Sequence, residues 1–502
     1  MTLVSDQSAI DEALRLDECV LEQIHLPGAI QPHGALLTVE REDFTILQAS
    51  SNCGEILGIG VDELLGTPLV ELVGPGPVDQ FRDILSWEGF GANPVAVDIG
   101  ERSFDAVFHD SNGVGVVEFE PRDPAGQYHS ATTIYAAIHR LSRAGTVDDL
   151  LEWSAREIRH LTKFDQVMVY RFHSDEHGEV VAESCAPGIQ PFLGLHFPAS
   201  DIPIQARRLY LKKTSRVIVS TDTVDAKLVP PENPLTGEPI DLSRAELRGI
   251  SPSHIQFMKN MGQSSTISFS LVQNSELIGM ITCANVSVKH IPYELRQGYE
   301  MLARQIALQW GAMEQIDQLT RRESIRQLRQ GLIEQLNGAE DFGESLAAGE
   351  LTIAGLIQAD AAAVRIDGQT FVVGESDEAA RIGLFFERLD ALRQRFFESE
   401  ALAMDRPDLA DVLTAFAGVV VVPFGIPGNY LAWFRRERAF AVDWLGDQSP
   451  ENRLTPLSPR NSFATWTESV SGRSLPWDDL ELVEAAEFGR DLDTAILNRP
   501  VG

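Results

Sequence analysis

The four cysteines are the residues whose chemistry depends most on their surroundings. Their scattered spacing contains no close pair, which argues against both a zinc site and a disulfide framework; they are Cys19, Cys53, Cys185 and Cys283. Cys19 lies among acidic residues in a polar leader, "RLDECVLEQIHLPG", whereas Cys53 and Cys283 have apolar neighbours, as inert buried thiols do. An exposed thiol can act as a nucleophile, although acidic neighbours disfavour its ionisation. Cys19 is therefore the candidate reactive residue, and the alternative is an exposed thiol without a role.

The charge balance limits the partners that we expect. The 502 residues include 41 Lys plus Arg against 74 Asp plus Glu, a formal charge of -33, which repels nucleic acid and anionic lipid at long range. The sequence shows no signal peptide and no run of about 18 apolar residues. We therefore expect a cytoplasmic protein of about three domains that binds neither nucleic acid nor membrane.

The elements that must position any site alternate between strands and helices. Residues 1–130 contain the leader and then short β-prone stretches, such as "ALLTVE" and "GVVEFE", around two short helical ones. Residues 131–315 begin with the amphipathic helix "VDDLLEWSAREIRHLTKF" and continue with strands, including a hairpin that turns at Asn274 and Ser275. Two α/β domains are predicted in these two ranges.

One long amphipathic helix is predicted from Tyr293 to about Leu336, because apolar residues recur there at spacings of three and four. Its apolar stripe contains Leu295, Tyr299, Leu302, Ile306, Trp310 and Met313. Part of this stripe contacts either a partner chain or its own domain, two alternatives that the sequence does not separate. We expect a homodimer.

A third domain is predicted over residues 316–502, with strands such as "GVVVVPFG" and "NYLAWFRRE", a helix over 378–400 and a terminal helix. It carries an insertion, residues 447–477, rich in turn-forming residues; loops of this length are often functional. Arg460 lies close to Phe463 and Trp466 there, so part of the insertion should dock on another surface. The expected fold class is α/β (α+β), with three sensor domains that have antiparallel sheets and are joined by a long helix.

The segment "FPASDIPIQARRLY", residues 197–210, resembles the signature of the chromophore-binding GAF domain of phytochromes. Three phrases resemble the same family in the same order: "IHLPGAIQPHGALL", "SPSHIQFMKNMG" and "PRNSF". The resemblance covers nearly the whole chain and implies PAS, GAF and PHY domains. A cysteine upstream of the PAS domain is similar to the bacteriophytochrome arrangement, which implies biliverdin held by a thioether to Cys19. In this family the leader threads through a loop of the GAF domain as a knot, a rare feature among folds.

The resemblance also implies roles for polar residues. Asp201 would present its backbone carbonyl to the inner pyrrole nitrogens and pair its carboxylate with Arg460; the alternative for Asp201 is a helix N-cap. His254 would lie beside rings B and C; the alternative is a structural hydrogen-bond donor. The ring B propionate would be held by Arg216, Arg248 and Tyr210, and the ring C propionate by Thr266 and Ser268. Without the family, these would be surface cations and strand hydroxyls.

Eight apolar residues are implied as walls, with plain core packing as the alternative: Met168, Tyr170, Phe192, Phe197, Ile202, Pro203, Phe257 and Met261. Tyr170 and Phe197 would lie nearest ring D. Two positions depart from the family, since Phe257 replaces a common tyrosine and Ala284 stands where a histidine usually donates to the ring D carbonyl. A buried carbonyl without its donor costs about 1–3 kcal/mol, so altered photoconversion is expected. Water or Asn285 are the candidate substitutes.

The implied function is a red/far-red light receptor, in which photoisomerisation turns ring D and rearranges the contacts with the insertion. A separate output domain, such as a histidine kinase, or a response regulator partner would then carry the signal. One rival is a light-insensitive PAS-GAF module for a cyclic nucleotide or another small ligand, which would have no use for Cys19. The other is a tetrapyrrole-modifying reductase, but the sequence shows no dinucleotide-binding turn, metal cluster or nucleophile triad. We therefore expect no enzyme activity and no metal site.

Overall fold

The computed structural model describes residues 22–86, 92–122, 131–374, 378–392, 396–447, 452, 460 and 462–497. The chain divides into two compact units. One unit contains the residues up to Met313 together with Asp443–Trp466, and the other contains Glu314–Val442 together with the residues from Thr467 onward. The first two predicted domains therefore lie in a single unit, which also includes much of the insertion.

The N-terminal part of the first unit is a seven-stranded sheet with short helices. Its strands are β1 (Ala29–Ile30), β2 (Ala35–Glu40), β3 (Ile46–Ser50), β4 (Val95–Ile99), β5 (Arg102–Ser111), β6 (Val114–Pro121) and β11 (Ala226–Val229). Its helices are α1 (Cys53–Ile56), α2 (Val61–Leu64), α3 (Leu69–Val73) and α4 (Pro75–Ser86). The sheet order is β1-β11-β3-β2-β6-β5-β4. Because β11 comes from the second predicted domain and pairs with both β1 and β3, the two domains share this sheet.

The rest of the first unit is built on an eight-stranded sheet, ordered β10-β12-β13-β7-β8-β9-β19-β20. These strands are β7 (Gln166–Phe172), β8 (Gly178–Cys185), β9 (His196–Phe197), β10 (Ser215–Ile218), β12 (Ser265–Gln273), β13 (Glu276–Asn285), β19 (Phe440–Leu445) and β20 (Thr465–Val470). The helices are α5 (Ala131–Leu141), α6 (Val147–Thr162), α7 (Ile204–Lys212) and α8 (Pro252–Asn260), with a 3-10 turn at Ala199–Asp201. Asn274 and Ser275 have positive φ and form the predicted hairpin turn.

The long helix α9 (Tyr293–Leu336) has the bounds predicted from its periodicity. Tyr299, Leu302, Ile306 and Trp310 are buried in the core of its own domain. For these residues the own-domain alternative is therefore correct. None of the helices in the described residues combines the length and the apolar character that crossing a bilayer requires.

The second unit contains a five-stranded antiparallel sheet, ordered β15-β14-β18-β17-β16. Its strands are β14 (Ala361–Ile366), β15 (Gln369–Gly374), β16 (Phe397–Ser399), β17 (Phe416–Pro423) and β18 (Tyr430–Arg436). Its helices are α10 (Phe342–Ala348), α11 (Ala379–Leu392), α12 (Leu402–Asp405), α13 (Pro407–Ala410) and α14 (Asp479–Leu497), with a 3-10 turn at Ile353–Gly355. The predicted helix over 378–400 is wrong at its end, because residues 397–399 pair with β17 instead. Pairing with a neighbouring strand overrides local propensity there.

Candidate functional site

One face of the eight-stranded sheet carries a cluster of apolar side chains that contains most of the predicted walls. Along β7, Val167 and Val169 face the domain core, whereas Met168 and Tyr170 face this cluster, because side chains alternate along a strand. The ring of Tyr170 packs edge-on against Phe197 with 5.2 Å between the centroids. The six predicted wall residues present are Met168, Tyr170, Phe192 and Phe197, all buried, and Ile202 and Met261, partly buried. Two other predicted site residues also belong to the cluster, namely Ala284, which is buried, and Tyr210, which is partly buried.

Two predicted wall residues lie outside this cluster. Pro203 is the N-cap of α7, and Phe257 packs between His254 and Phe463, with ring centroids 6.0 Å and 5.1 Å away. Phe463 belongs to the insertion, so its docking on α8 agrees with the prediction. The sequence reasoning missed other members of the cluster, namely Val180, Leu195, Met280 and Leu445. Their apolar character alone does not separate them from ordinary core residues.

Two arginines predicted to hold a carboxylate lie side by side. Arg216, on β10, donates from Nη2 to the backbone carbonyls of Arg248 and Gly249 at 2.6 and 3.0 Å. Arg248 donates from Nη1 to the carbonyl of Ile24, in the leader, at 2.9 Å. Nη1 of Arg216 and Nε of Arg248 are sealed from water and have no hydrogen-bond partner among the described residues. The two guanidiniums thus present positive charge and unused donors at one place.

The charge of these arginines affects two titratable neighbours. Desolvation by the surrounding protein, and then the charges of Arg216 and Arg248, lower the pKa of His254 to about 4, although residue 254 is exposed to solvent in the ligand-free protein. His254 lies in the first turn of α8, as predicted, after Pro252 at the helix start. Burial raises the pKa of Tyr210, opposed by Arg216 and Arg248 and by a hydrogen bond with Ser268. At neutral pH the imidazole is therefore uncharged and the phenol keeps its proton.

The two strand hydroxyls share one face of β12, as alternation predicts. Ser268 is paired with Arg216 and Thr266 with Ile218 in the ladder, while the intervening Ile267 faces the core. The hydroxyl of Ser268 lies 3.3 Å from that of Thr282, a polar neighbour that the sequence reasoning missed. These hydroxyls offer hydrogen bonds on the same side of the sheet as Arg216.

Asp201 and Arg460 form a buried ion pair, as the resemblance implies. Nη2 of Arg460 bonds to Oδ2 of Asp201, and the side chains are 0% and 5% exposed. Nη1 of Arg460 also donates to the backbone carbonyls of Leu445 and Gly446. The N-cap alternative for Asp201 is wrong, because α7 begins after Pro203 and Asp201 ends the preceding 3-10 turn.

Ala284 lies in the apolar cluster, and its neighbour Asn285 cannot replace the missing histidine. The Oδ1 of Asn285 accepts from the backbone N–H of Asp165 at 3.1 Å, and its Nδ2 donates to the carbonyl and the hydroxyl of Ser287. Successive side chains of a strand point to opposite faces, so Asn285 points away from the cluster. Of the two predicted substitutes, the side chain of Asn285 is therefore ruled out.

Cys19 lies outside the described residues. Burial raises the pKa of Cys53, that of Cys185 to about 12 and that of Cys283. A raised thiol pKa lowers the thiolate population on which nucleophilic reactivity depends. The three described cysteines are therefore poor nucleophiles at neutral pH.

Comparison with known proteins gives matches along nearly the whole chain. Three family models match in tandem: "PAS fold" over residues 19–122, "GAF domain" over 146–310 and "Phytochrome region" over 325–500. Cyanobacterial phytochrome B of Nostoc sp. is 34% identical over 94% of this chain and 65% of its own length. A bacteriophytochrome of Pseudomonas aeruginosa is 34% identical over 96% of this chain and 67% of its own length.

Solved structures agree with these matches. The bacteriophytochrome of R. palustris superposes with a TM-score of 0.84 at 32% identity, covering 97% of this chain and 100% of that one. The phytochrome photosensory core module of Stigmatella aurantiaca gives 0.77 at 32% identity, covering 96% and 98%.

Three sensor domains in tandem define a modular sensory core. The chain belongs to the phytochrome family, as a PAS-GAF-PHY photosensory core of the bacteriophytochrome kind. The expected fold class is also confirmed, since the sheets of the described residues are mainly antiparallel, with a parallel bridge between Trp444 and His196. The chain spans 65% and 64% of the length of two cyanobacterial relatives, phytochromes B and A of Nostoc sp..

Proposed function

We propose that the chain is a red/far-red light receptor that carries biliverdin attached to Cys19. The observation that supports this most is the pair Arg216 and Arg248, whose unused donors are sealed from water within the described part of the chain. Leaving such groups unpaired is unfavourable, and a ligand with two carboxylates would satisfy them. The adjoining apolar cluster suits the rings of a tetrapyrrole.

Different groups of residues would contact different parts of biliverdin. When bound, biliverdin would supply red-light absorption and an isomerisable double bond. Arg216, Arg248 and Tyr210 would hold the ring B propionate, and Thr266 and Ser268 the ring C propionate. The backbone carbonyl of Asp201 would accept from the inner pyrrole nitrogens, while His254 lies beside rings B and C. The six predicted wall residues of the cluster, together with Pro203 and Phe257, would form the apolar walls.

The length of the chain allows Cys19 to reach this pocket. Ile24 contacts Arg248, and the five residue-to-residue steps from Cys19 to Ile24 span at most about 18 Å when extended. We propose that the Cys19 sulfur adds to one carbon of a biliverdin vinyl group and that the thiol proton ends on the other carbon, which forms a thioether. The contact between leader and Arg248 also supports threading of the leader through the GAF loop.

The ion pair of Asp201 with Arg460 is the proposed switch. Breaking a buried pair typically costs about 3–5 kcal/mol if the charges stay buried. A ring D movement that separates them would therefore require the insertion to rearrange. The three predicted domains would then have distinct tasks: residues 1–130 deliver the cysteine, 131–315 bind the pigment, and 316–502 respond through residues 447–477.

Signal output would require a further domain or a response regulator.

A homodimer is proposed because α9 also has a second apolar stripe that is exposed to solvent: Met301, Leu308, Ile316 and Leu319. These residues follow roughly helical spacing and suit a parallel or antiparallel contact with a second copy. We keep the cytoplasm as the proposed compartment.

Ala284 leads to a prediction about photoconversion. Without a donor to the ring D carbonyl, the conversion should be incomplete or its product short-lived. Ala284→His should raise the photoproduct yield or lifetime, as measured by absorption spectroscopy after red illumination. Ala284→Val is the matched control, because it adds bulk without a donor. Equal behaviour of both variants would reject the donor explanation.

The experiment that tests the function adds biliverdin to the purified chain. A covalent far-red-absorbing adduct should form, and mass spectrometry should place the added mass on the peptide that contains Cys19. Cys19→Ser should abolish the adduct, whereas Cys185→Ser should not. A protein that stays colourless with excess biliverdin, or that binds a cyclic nucleotide instead, would contradict the proposal.

A further inference from the structure

Three residues that are not among those proposed to hold the pigment meet from distant parts of the first unit. His33 precedes β2, Glu120 lies on β6, and His290 precedes α9. One potential ligand atom from each lies within 4.8 Å of the other two. Nε2 of His290 is 3.2 Å from Oε2 of Glu120, and the two imidazole rings are 5.5 Å apart.

The imidazole of His33 has two ring nitrogens available for a ligand. Both of its ring nitrogens are sealed from water, and neither has a hydrogen-bond partner among the residues that the structure describes. Buried polar groups in proteins nearly always have a partner. In a neutral imidazole one ring nitrogen carries a lone pair, and a ligand atom of His33 lies within 4.8 Å of those of Glu120 and His290.

Glu120 is already paired with Arg296, but this does not exclude another ligand. Arg296 donates to both carboxylate oxygens of Glu120, at 2.9 Å for Oε2, and its Nη2 is 3.6 Å from Glu246. Each carboxylate oxygen has a further lone pair, and Glu246 contributes a second negative charge beside Arg296. Arg296 therefore fixes the orientation of Glu120, as outer residues do around metal ligands.

We propose that His33, Glu120 and His290 bind one divalent transition-metal ion of the Zn²⁺ class. Two imidazole nitrogens and one carboxylate oxygen suit Zn²⁺ and its neighbours, whereas Mg²⁺ and Ca²⁺ prefer oxygen ligands alone. Water would complete the coordination. On binding, the His290 N–H that faces Glu120 gives way to a lone pair directed at the ion. The ion would tie the segment after the leader and β6 to the start of α9.

The test is a titration of the full chain with ZnCl₂, followed by calorimetry and by elemental analysis after dialysis. One ion per chain should bind, and the midpoint of thermal unfolding should rise. His290 is exposed, so His290→Ala should fold and should weaken Zn²⁺ binding by more than about tenfold. MgCl₂ in excess should not compete.

Two controls separate this site from other histidines. His139→Ala removes an exposed histidine on α5, and His173→Ala removes one of a separate group that includes His177 and His196. Both should bind Zn²⁺ like the parent. The proposal is wrong if His290→Ala binds as tightly as the parent, if binding is lost in His173→Ala instead, or if Mg²⁺ competes. Attachment of biliverdin is measured in parallel, so loss of the metal site and loss of the pigment site remain distinguishable.

Discussion

Two groups of cations in the same unit have opposite surroundings. Arg296 is 2% exposed and contacts Glu120 and Glu246. Lys213 contacts Glu246 at 2.6 Å and lies 3.9 Å from Glu300. Burial opposes the charge on Arg296, but the two carboxylates more than offset it and raise the pKa of Arg296. This paired group provides its own counter-charges.

The pocket group, Arg216 and Arg248, has backbone carbonyls where the paired group has carboxylates. Burial lowers the pKa of Arg216, and burial followed by the charge of Arg216 lowers that of Arg248 to about 9. Carboxylates such as Asp225 and Asp241 only partly compensate these two charges, and two adjacent guanidiniums that form no ion pair among the described residues are unfavourable in a partly buried place. The comparison teaches that charge compensation, rather than burial or residue type, separates a structural cation from one reserved for a ligand. Sites of function commonly carry such a stability cost.

The largest effect should follow from breaking the paired group. Arg296→Met should lower the free energy of unfolding of the first unit by about 3–5 kcal/mol, because it leaves Glu120 and Glu246 buried without that cation. Urea unfolding followed by tryptophan fluorescence measures this change. Arg304→Met, on an exposed position of the same helix, is the control and should stay within about 0.5 kcal/mol of the parent. Equal losses in both variants would remove the basis of the comparison.

The matching change in the pocket group should affect binding more than stability. Arg216→Met should lower the stability of the ligand-free protein by less than Arg296→Met does, because loss of the hydrogen bonds to the carbonyls of Arg248 and Gly249 is offset by removal of a poorly compensated buried charge. In a Cys19→Ser background, noncovalent affinity for biliverdin should fall about 10- to 100-fold, the equivalent of one charged hydrogen bond. Fluorescence quenching measures the affinity, and Arg208→Met, exposed on α7, is the control. A loss of ligand-free stability as large as that of Arg296→Met would mean that Arg216 is structural.

Local periodicity predicted much of the fold. The stretch "ALLTVE" has the bounds of β2, and Tyr293–Leu336 those of α9, because alternation and helical spacing depend on neighbouring residues. The strand at Phe397–Ser399 was mistaken for helix, since its conformation depends on pairing with Val419–Val421. Local patterns thus predict an element where they agree with its tertiary contacts.

The candidate site was predictable where a motif carries it and hidden where distant segments build it. Asp201 lies within one recognisable phrase, residues 197–210. By contrast, Glu120 and Arg296 are 176 residues apart, and the sequence gives no local pattern for such a pair. The cluster of His33, Glu120 and His290 was hidden for the same reason, because its three members have no ligand spacing along the chain.

The smallest effect concerns the influence of the unpaired arginines on His254. Desolvation by the surrounding protein, and then the charges of Arg216 and Arg248, lower the pKa of His254 to about 4 in the ligand-free protein. A bound dianion would offset the arginine charges but not the desolvation, so it would raise that pKa above about 4 without reaching the ordinary value of about 6.5. Between these values the complex binds more protons than the free protein, so affinity should rise as pH falls.

Noncovalent binding of biliverdin to the Cys19→Ser protein should therefore tighten several-fold from about pH 7 to about pH 5, above the range in which propionates take up protons. His254→Gln should remove this dependence, because an amide does not titrate. Arg216→Met in the Cys19→Ser background, with His254 kept, should weaken the pH dependence of biliverdin affinity. Part of the positive charge that lowers the pKa of His254 is then already absent from the ligand-free protein. If His254→Gln keeps the full pH dependence, the proton is taken up elsewhere and His254 does not sense the charge of the pocket group.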